Sequence, residues 1–474
     1  MTDQKPPSLY VAREPIFPRR VKGKFRNLKW WIMGVTLMIY YLTPIIRWDR
    51  GPSLPDQAVL IDLANRRFYF FWIEIWPHEF YFVAGLLIMA GLGLFLFTSA
   101  LGRVWCGYTC PQTVWTDLFI LVERWIEGDR NARVRLWNAD WSVSKVRKRV
   151  TKWAVWLIIS LLTGGAWVFY FADAPTLAWD LVTLNANTIA YTTIAILTAT
   201  TFTFGGLLRE QVCNYMCPWP RIQAAMMDDQ TLTVAYRYWR GEPRGKKHEN
   251  TTGDCIDCMA CVNVCPAGID IRDGQQMECL TCALCIDACD DVMDRIGKPR
   301  GLIDYLALSD EPIEKAGGKA KPIWKHVLRS RTIIYTTMWS LIGVGLIWAL
   351  FVRSDIELSV EPVRNPLYVQ LSDGGIRNTY NLRVRNKTGE DRLLRVILTS
   401  DAVLRVDIEG DTDNSQVITV PADETFAVRA YVIARSSDKA ATDVTTELRL
   451  WVEDVNGQSR ASKATIFHGK GASK

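Results

Sequence analysis

The stretch that decides the fold is Cys255-Ile-Asp-Cys258-Met-Ala-Cys261-Val-Asn-Val-Cys265-Pro266, echoed 24 residues later by Cys279-Leu-Thr-Cys282-Ala-Leu-Cys285-Ile-Asp-Ala-Cys289. Four cysteines spaced 2-2-3 suit a cubane cluster, which needs one thiolate on each of its four irons. The first three can wrap three corners from one tight loop, and the fourth points away to the neighbouring cluster. This spacing predicts Cys255, Cys258, Cys261 and Cys289 around one [4Fe–4S] cluster, with Cys279, Cys282, Cys285 and Cys265 around a second. Cys289 is followed by Asp290 where the first run has Pro266, a departure that leaves every ligand in place. Zinc also takes C-x2-C pairs, but it rarely uses the same 2-2-3 spacing twice. Haem is disfavoured: Cys258 is followed by Met259, which rules out C-x-x-C-H there. No histidine falls in an apolar run, and His78, beside Pro77, reads as an interfacial residue. A module this small needs its clusters in order to fold.

Outward from this module the chain alternates between apolar and charged stretches. Its mean hydropathy of +0.03 hides that division. Five apolar runs approach the roughly 20 residues needed to cross about 30 Å of hydrocarbon: 30–46, 80–101, 153–172, 186–208 and 333–352. Trp30, Trp31 and Trp48 would anchor the first, and the absence of a small-residue cleavage site argues for an uncleaved span. Eight Lys and Arg precede residue 30 and ten lie in 102–152, against four in 47–79 and none in 173–185. The positive-inside rule then places the N-terminus and 209–332 in the cytoplasm and the C-terminus outside. An excess of only six basic residues, lying beside the apolar runs, points to membrane orientation and not to nucleic acid.

The remaining cysteines form a second repeat, Cys106-Gly-Tyr-Thr-Cys110-Pro111 and Cys213-Asn-Tyr-Met-Cys217-Pro218. Each follows a run directed inward, so four thiols are expected to converge on the cytoplasmic side. Spacing of i, i+4 predicts each pair on one helix face, with proline ending the turn. Soft thiolates suit Cu(I), zinc or a further cluster, and Met216, Met226 and Met227 offer thioethers nearby; a disulfide is the other reading. All twelve cysteines lie between Cys106 and Cys289, which argues for reduced, metal-binding thiols.

Beyond residue 352 the pattern turns to alternation: Asn378–Val384, Leu393–Leu398, Gln416–Val420, Thr425–Val432 and Thr445–Val452. Turn signals stand at Asp373–Gly375, Asn386–Gly389 and Glu409–Asp411, and the expectation is an immunoglobulin-like β-sandwich. It has no cysteine or methionine, so docking to a partner is expected of it more than redox chemistry. The domains expected are a cytoplasmic tail at 1–29, a membrane domain at 30–232, the module at 233–332 (core 250–295), a fifth span at 333–352 and a periplasmic domain at 353–474. The fold class is thus a membrane α-helical bundle of five spans, with an inserted α+β two-cluster ferredoxin-like module and a C-terminal immunoglobulin-like β-sandwich.

With these features assembled the chain resembles the CcoG/FixG family of cytochrome c oxidase accessory proteins. The resemblance rests on Arg13-Glu-Pro-Ile-Phe-Pro-Arg19, Gly102-Arg-Val-Trp-Cys-Gly-Tyr-Thr-Cys-Pro-Gln-Thr113, Arg240-Gly-Glu-Pro-Arg-Gly245 and Pro299-Arg-Gly-Leu-Ile303. Membrane electron carriers of the NapH and NosR type share the two C-x3-C-P motifs and the ferredoxin, but not these flanking stretches or the tail domain. The resemblance implies a bacterial inner-membrane protein that helps assemble a cbb-type oxidase by reducing Cu(II) to Cu(I), a cupric reductase holding two [4Fe–4S] clusters. Copper would then sit at Cys106, Cys110, Cys213 and Cys217. The alternatives are an adapter carrying electrons from a quinol or another donor to a partner protein, and a non-catalytic assembly factor with structural clusters. Expected partners are the lipid bilayer, cbb-type oxidase subunits or copper transport proteins, and a second copy of the chain. No G-x-G-x-x-G follows a strand, so no nicotinamide or flavin donor is identified.

Overall fold

The computed structural model describes residues 15–51, 54–245, 253–411, 415–422, 424–457 and 459–472. Arg13 and Glu14 of the N-terminal stretch, the first residues of the expected module core (250–252) and the side chain of His78 lie outside the described residues. The chain forms two compact units, one ending at Leu346 but without Trp48–Asp56, and one made of Trp48–Asp56 with the chain from Ile347 onward.

Among the described residues four helices are long and apolar enough to cross a membrane: Phe80–Leu101, Val143–Val168, Thr188–Leu208 and Ser330–Val352. The run expected at 153–172 is a helix that starts ten residues earlier, at Val143, because Ser142 caps it through the Lys145 N–H. Hydropathy cannot see such a start, since a basic first half does not interrupt helical hydrogen bonding. It ends at Val168, and Asp173 caps the next helix, Ala174–Val182. The run expected at 30–46 is displaced too. Its helix is Lys24–Leu42, after which Pro44 tightens Thr43–Ile45 into a 3-10 turn. Lys24, Arg26 and Lys29 occupy its first two turns, and it is not one of the four. The run at 186–208 is α-helical only to Thr201 and then widens into a π-helical turn over Phe202–Leu208. Gly205 and Gly206 let that turn meet Phe119 and Trp156: a Cβ at Gly206 would sit 2.8 Å from the Trp156 ring.

The helices are tied at their polar ends by buried ion pairs. Asp117 takes Arg26 at 2.9 Å and Lys29 at 3.2 Å. Glu123 takes Arg133 at 2.9 Å, Lys152 at 3.2 Å and Arg209 at 2.5 Å. Both acids lie on the helix Pro111–Ile126. It thereby gathers the N-terminal helix, Arg130–Asn138, Val143–Val168 and the segment after the π turn around itself.

The soluble module is built on a two-stranded antiparallel sheet, Thr233–Tyr236 against Ile303–Leu306, which brings the two ends of the insertion together. Between the strands each cysteine run is followed by a helix, Ala260–Val264 and Leu284–Ile296. The first helix ends at Val264, just before Cys265 and Pro266. Asp290 lets the second continue seven residues past Cys289 and accepts the Gly301 N–H at 3.0 Å. Residues 15–29, expected as a tail, are part of this body. Arg19 donates its N–H to Asn263 at 2.7 Å, Val21 joins the apolar cluster around Cys282, and Asp287 accepts the Phe25 and Arg26 N–H groups at 3.2 and 2.7 Å. A carboxylate on free N–H groups at a helix N-terminus is favourable, so Asp287 fastens the module to the first membrane-side helix.

The second unit is a two-sheet β-sandwich. One sheet runs Arg405–Ile408, Thr425–Ala434, Ile376–Asn386, Ile356–Pro362, and the other Val417–Val420, Arg392–Ser400, Thr445–Asp454, Arg460–His468. All pairings are antiparallel. Alternation decides the inward face: Ile376, Tyr380, Leu382 and Val384 are all buried in the core. The buried Tyr380 hydroxyl donates to the Ile466 carbonyl of the facing sheet at 2.8 Å. The strands Ile356–Pro362, Arg405–Ile408 and Arg460–His468 had not been expected, although Ile356, Leu358 and Val360 alternate with polar residues and face the core. Nor had the three-stranded meander at Val59–Asp62, Arg67–Phe70 and Ile73–Ile75 in the first connecting loop.

Candidate metal centres

The two cysteine runs share a backbone as well as a spacing. Asp257 and Met259 in the first, and Thr281 and Ala283 in the second, all hold φ between 52° and 60°. Non-glycine residues avoid this left-handed region. Its use at matching positions of both repeats curls each C-x2-C-x2-C loop around a centre. The thiols group across the runs. Burial, then the neighbouring Cys261, Cys258, Asp290 and Cys255, push the Cys289 thiol up to about 12. Burial and the proximity of Cys282 likewise push Cys265 up to about 12, against main-chain N–H groups of Ile269 and Ala267 that favour its thiolate. Cys289 therefore sits with Cys255, Cys258 and Cys261, and Cys265 with the second loop. A hollow, partly open to solvent, is lined by Cys261, Cys265, Cys279, Cys282 and Cys285 with apolar Val234, Ile271 and Leu284. Five thiols around an apolar hollow, with N–H groups directed at sulfur, suit an iron–sulfur cluster. Buried thiols held neutral must release protons when they bind metal.

The C-x3-C-P motifs are also duplicated in three dimensions. Gly102 and Arg209, each four residues before the first cysteine, hold φ of 63° and 45°. In both motifs the N–H of the second cysteine closes a wide turn on the residue before the first: Cys110 to Trp105 at 3.0 Å, Cys217 to Val212 at 2.8 Å. Each pair thus lies on an i→i+5 turn and not on the α-helical face expected from i, i+4; such wide turns concentrate at functional sites. The motifs interlock through side chains that cysteine spacing does not reveal. Gln112 donates to the Phe204 and Arg209 carbonyls at 2.8 and 3.1 Å, Arg103 donates to the Pro220 carbonyl, and the Cys106 thiol meets the fully buried Gln223 at 3.1 Å. Arg103 and Gln112 belong to the run Gly102–Thr113, where they could have been read as polar partners of the motif. Burial, then Cys110 and Cys217, raise Cys106 to about 12 against the opposing Arg103. Burial, then Cys110, Cys106 and Cys217, do the same for Cys213. The four thiols are neighbours. Met216 is exposed, Met226 is buried, and the Met227 sulfur lies against Gly102.

This thiol group abuts the second ferredoxin loop. A Cβ on Gly107 would fall 2.6 Å from the Leu280 carbonyl and 3.1 Å from the Cys282 Cα. The Tyr108 hydroxyl donates to the Cys282 carbonyl at 3.2 Å, and Arg103 donates to Cys279 at 3.3 Å. Among the described residues no three His, Cys, Asp or Glu side chains converge tightly enough to hold a single ion. That holds equally for the eight ferredoxin cysteines.

Three family models match the chain: a 4Fe-4S binding domain over residues 82–129, a 4Fe-4S dicluster domain over 208–308, and the IG-like fold at the C-terminus of FixG over 346–470. The chain is 66% identical over 474 residues to protein RdxB of Cereibacter sphaeroides, covering 99% of each. It is 63% identical to protein RdxA of the same organism, covering 97% of this chain and 98% of that protein. It is 55% identical to nitrogen fixation protein FixG of Rhizobium meliloti, covering 90% of this chain and 87% of that protein.

Proposed function

The chain belongs to the FixG/CcoG family, and from that premise we propose that it is a membrane-bound iron–sulfur protein that reduces Cu(II) to Cu(I) for assembly of a cbb-type oxidase. Cys255, Cys258, Cys261 and Cys289 would hold one [4Fe–4S] cluster, and Cys279, Cys282, Cys285 and Cys265 the other; when bound, these groups supply one-electron chemistry. Cu(II) is the substrate, taken by thiols among Cys106, Cys110, Cys213 and Cys217. Thiolates favour Cu(I) over Cu(II), so binding there eases reduction. The observation that carries this reading is the contact of Gly107 and Tyr108 with Cys282. It sets a soft-ligand group one turn of chain from a cluster-binding loop. The charge pattern supports five spans in a bacterial inner membrane, with Lys24–Leu42 as the first, the module in the cytoplasm and the β-sandwich in the periplasm.

The chain's own residues do the preparatory work. Arg103 and Gln112 hold the two motifs together, and Asp287 fixes the module to the helix beginning at Lys24. The test is Cu(II) reduction by the purified, chemically reduced protein. Exchanging Cys110 and Cys217 together for Ser should leave both cubane spectra intact and abolish Cu(I) formation. An unchanged rate in that variant removes copper from these thiols.

A second reading has one observation in its favour. The 4Fe-4S binding domain match over 82–129 includes Cys106 and Cys110. On that reading the four thiols hold a third cluster, and the protein is an electron-transfer adapter. Metal analysis separates the two, at about eight irons per chain against about twelve.

A further inference from the structure

We propose that the ferredoxin-like module works in one orientation: its Cys258 face receives the reductant, and the Gly107–Tyr108 turn is its outlet toward the C-x3-C-P thiols. This orientation rests on the reading that both cysteine runs hold cubanes, and not on the identity of the final acceptor.

The two halves of the module are near-copies, so equivalent positions can be compared. Cys258 and Cys282 are the middle cysteines of the two loops, with matched backbone angles on either side. Cys258 is exposed, and beside it the Asp257 side chain is 57% and Met259 39% exposed. In the other copy Cys282 is 9%, Thr281 3% and Ala283 1% exposed. The loops have the same shape, so the difference lies in what covers them. The cover is the short helix Val104–Tyr108, with Tyr305 donating to the Thr281 carbonyl at 3.2 Å.

Glycine at 107 is explained by this contact. Its φ lies outside the left-handed region, so no turn demands it. What demands it is space, because both atoms that a Cβ would strike belong to the backbone of the Cys282 loop and cannot swing aside. Gly107 is also bonded to Cys106, so the contact reaches the thiol group through one residue. Among the described residues one face of the module is therefore open to a soluble partner, while the other is sealed onto the membrane-side thiols. The partner that fits the open face is a soluble one-electron carrier. It loses one electron for each Cu(II) reduced to Cu(I), with no bond made and no proton moved.

The experiment uses the full-length protein in detergent. Gly107→Ala should keep the iron content and both cubane signals. It should shift the midpoint potential or electron-spin spectrum of one cluster only and slow Cu(I) formation at least tenfold. Unchanged signals together with an unchanged rate overturn the outlet. If Gly107→Ala loses iron, Tyr108→Phe takes its place, because it removes the hydroxyl's bond to the Cys282 carbonyl and its contact with Tyr305 while leaving the ring in place. A shift confined to one cluster supports the outlet, and no shift overturns it. The spectroscopic readout stands even if the native protein fails to reduce copper, which would sink the copper reading alone. At the other face Asp257→Asn keeps a residue that tolerates the left-handed region, and Arg272 retains Asp270 at 2.6 Å. Losing that negative charge should speed reduction by the dithionite anion about twofold at low salt, with no difference at high salt. Asp291→Asn, on an exposed pair with Arg295, should leave the rate unchanged. Equal rates for the native protein and Asp257→Asn at low salt overturn the Cys258 face as the receiving side.

Discussion

At Cys258 and Cys282 the chain makes the same unfavourable backbone choice twice over, with non-glycine residues at positive φ on both sides of each cysteine. Such positions are tolerated only where the surroundings over-determine them, and a bound cluster would do that. Because Cys289 lies with the first loop and Cys265 with the second, each run would contribute a ligand to both proposed centres. Replacing Cys258 or Cys282 by Ser should therefore lower both cubane signals and the level of folded protein together, since metal binding supplies folding energy. Iron analysis and electron-spin spectra check this. A variant that loses one cluster while keeping the other and its yield would contradict shared ligation.

Among the elements, the helix Pro111–Ile126 does the joining, and Glu123 is its hub. Burial alone would raise the Glu123 carboxyl, but Arg209, Lys152 and Arg133 outweigh it and hold the group at about 2, below the ordinary value of 4.5. A depressed folded-state value means that the stabilisation is complete above pH 4.5 and is lost as pH falls from there toward 2. Glu123→Gln at neutral pH leaves Arg133 and Arg209 buried without their carboxylate, a change worth about 3–5 kcal/mol when a buried pair is broken. The expected outcome is a lower Tm in detergent at pH 7 and a flatter acid dependence between pH 4.5 and 2. An unchanged melting curve would show that the gathering of helices does not depend on this network. The π turns belong to this scale too: Phe202–Leu208 and Val212–Met216 re-aim the chain just before and across Cys213, bringing it to Cys106 and Cys110.

For the whole molecule, orientation is set by where charge sits. Transfer of short basic loops across the bilayer is disfavoured, and the basic segments 102–152 and 315–331 flank the helices on the side of the cysteine module. A phosphatase fused after the last residue should therefore be active, and one inserted at 317–318, in the exposed turn before Ser330–Val352, should be inactive. The reverse pattern would put the clusters outside the cell and overturn the copper reading with them.

The ferredoxin-like module, the apolar helices and the sandwich were legible in the sequence because each rests on a local rule. Cluster ligation needs cysteines at short fixed spacing, a span needs an uninterrupted apolar run, and a strand with one buried face must alternate. The helix starts at Lys24 and Val143 escaped those rules, because a cap and a buried carboxylate can carry a helix through charged residues. So did the incorporation of residues 15–29 into the module, which depends on Asp287, more than 250 residues away in the chain. The spacing of Cys106, Cys110, Cys213 and Cys217 announced a soft-ligand group. Only the tertiary structure brought it onto the Cys282 loop, covering one copy of a sequence repeat and leaving the other open. Spacing along a chain fixes what a loop can bind, but what lies beside that loop depends on long-range packing, here on a glycine without a side chain to keep two backbones apart.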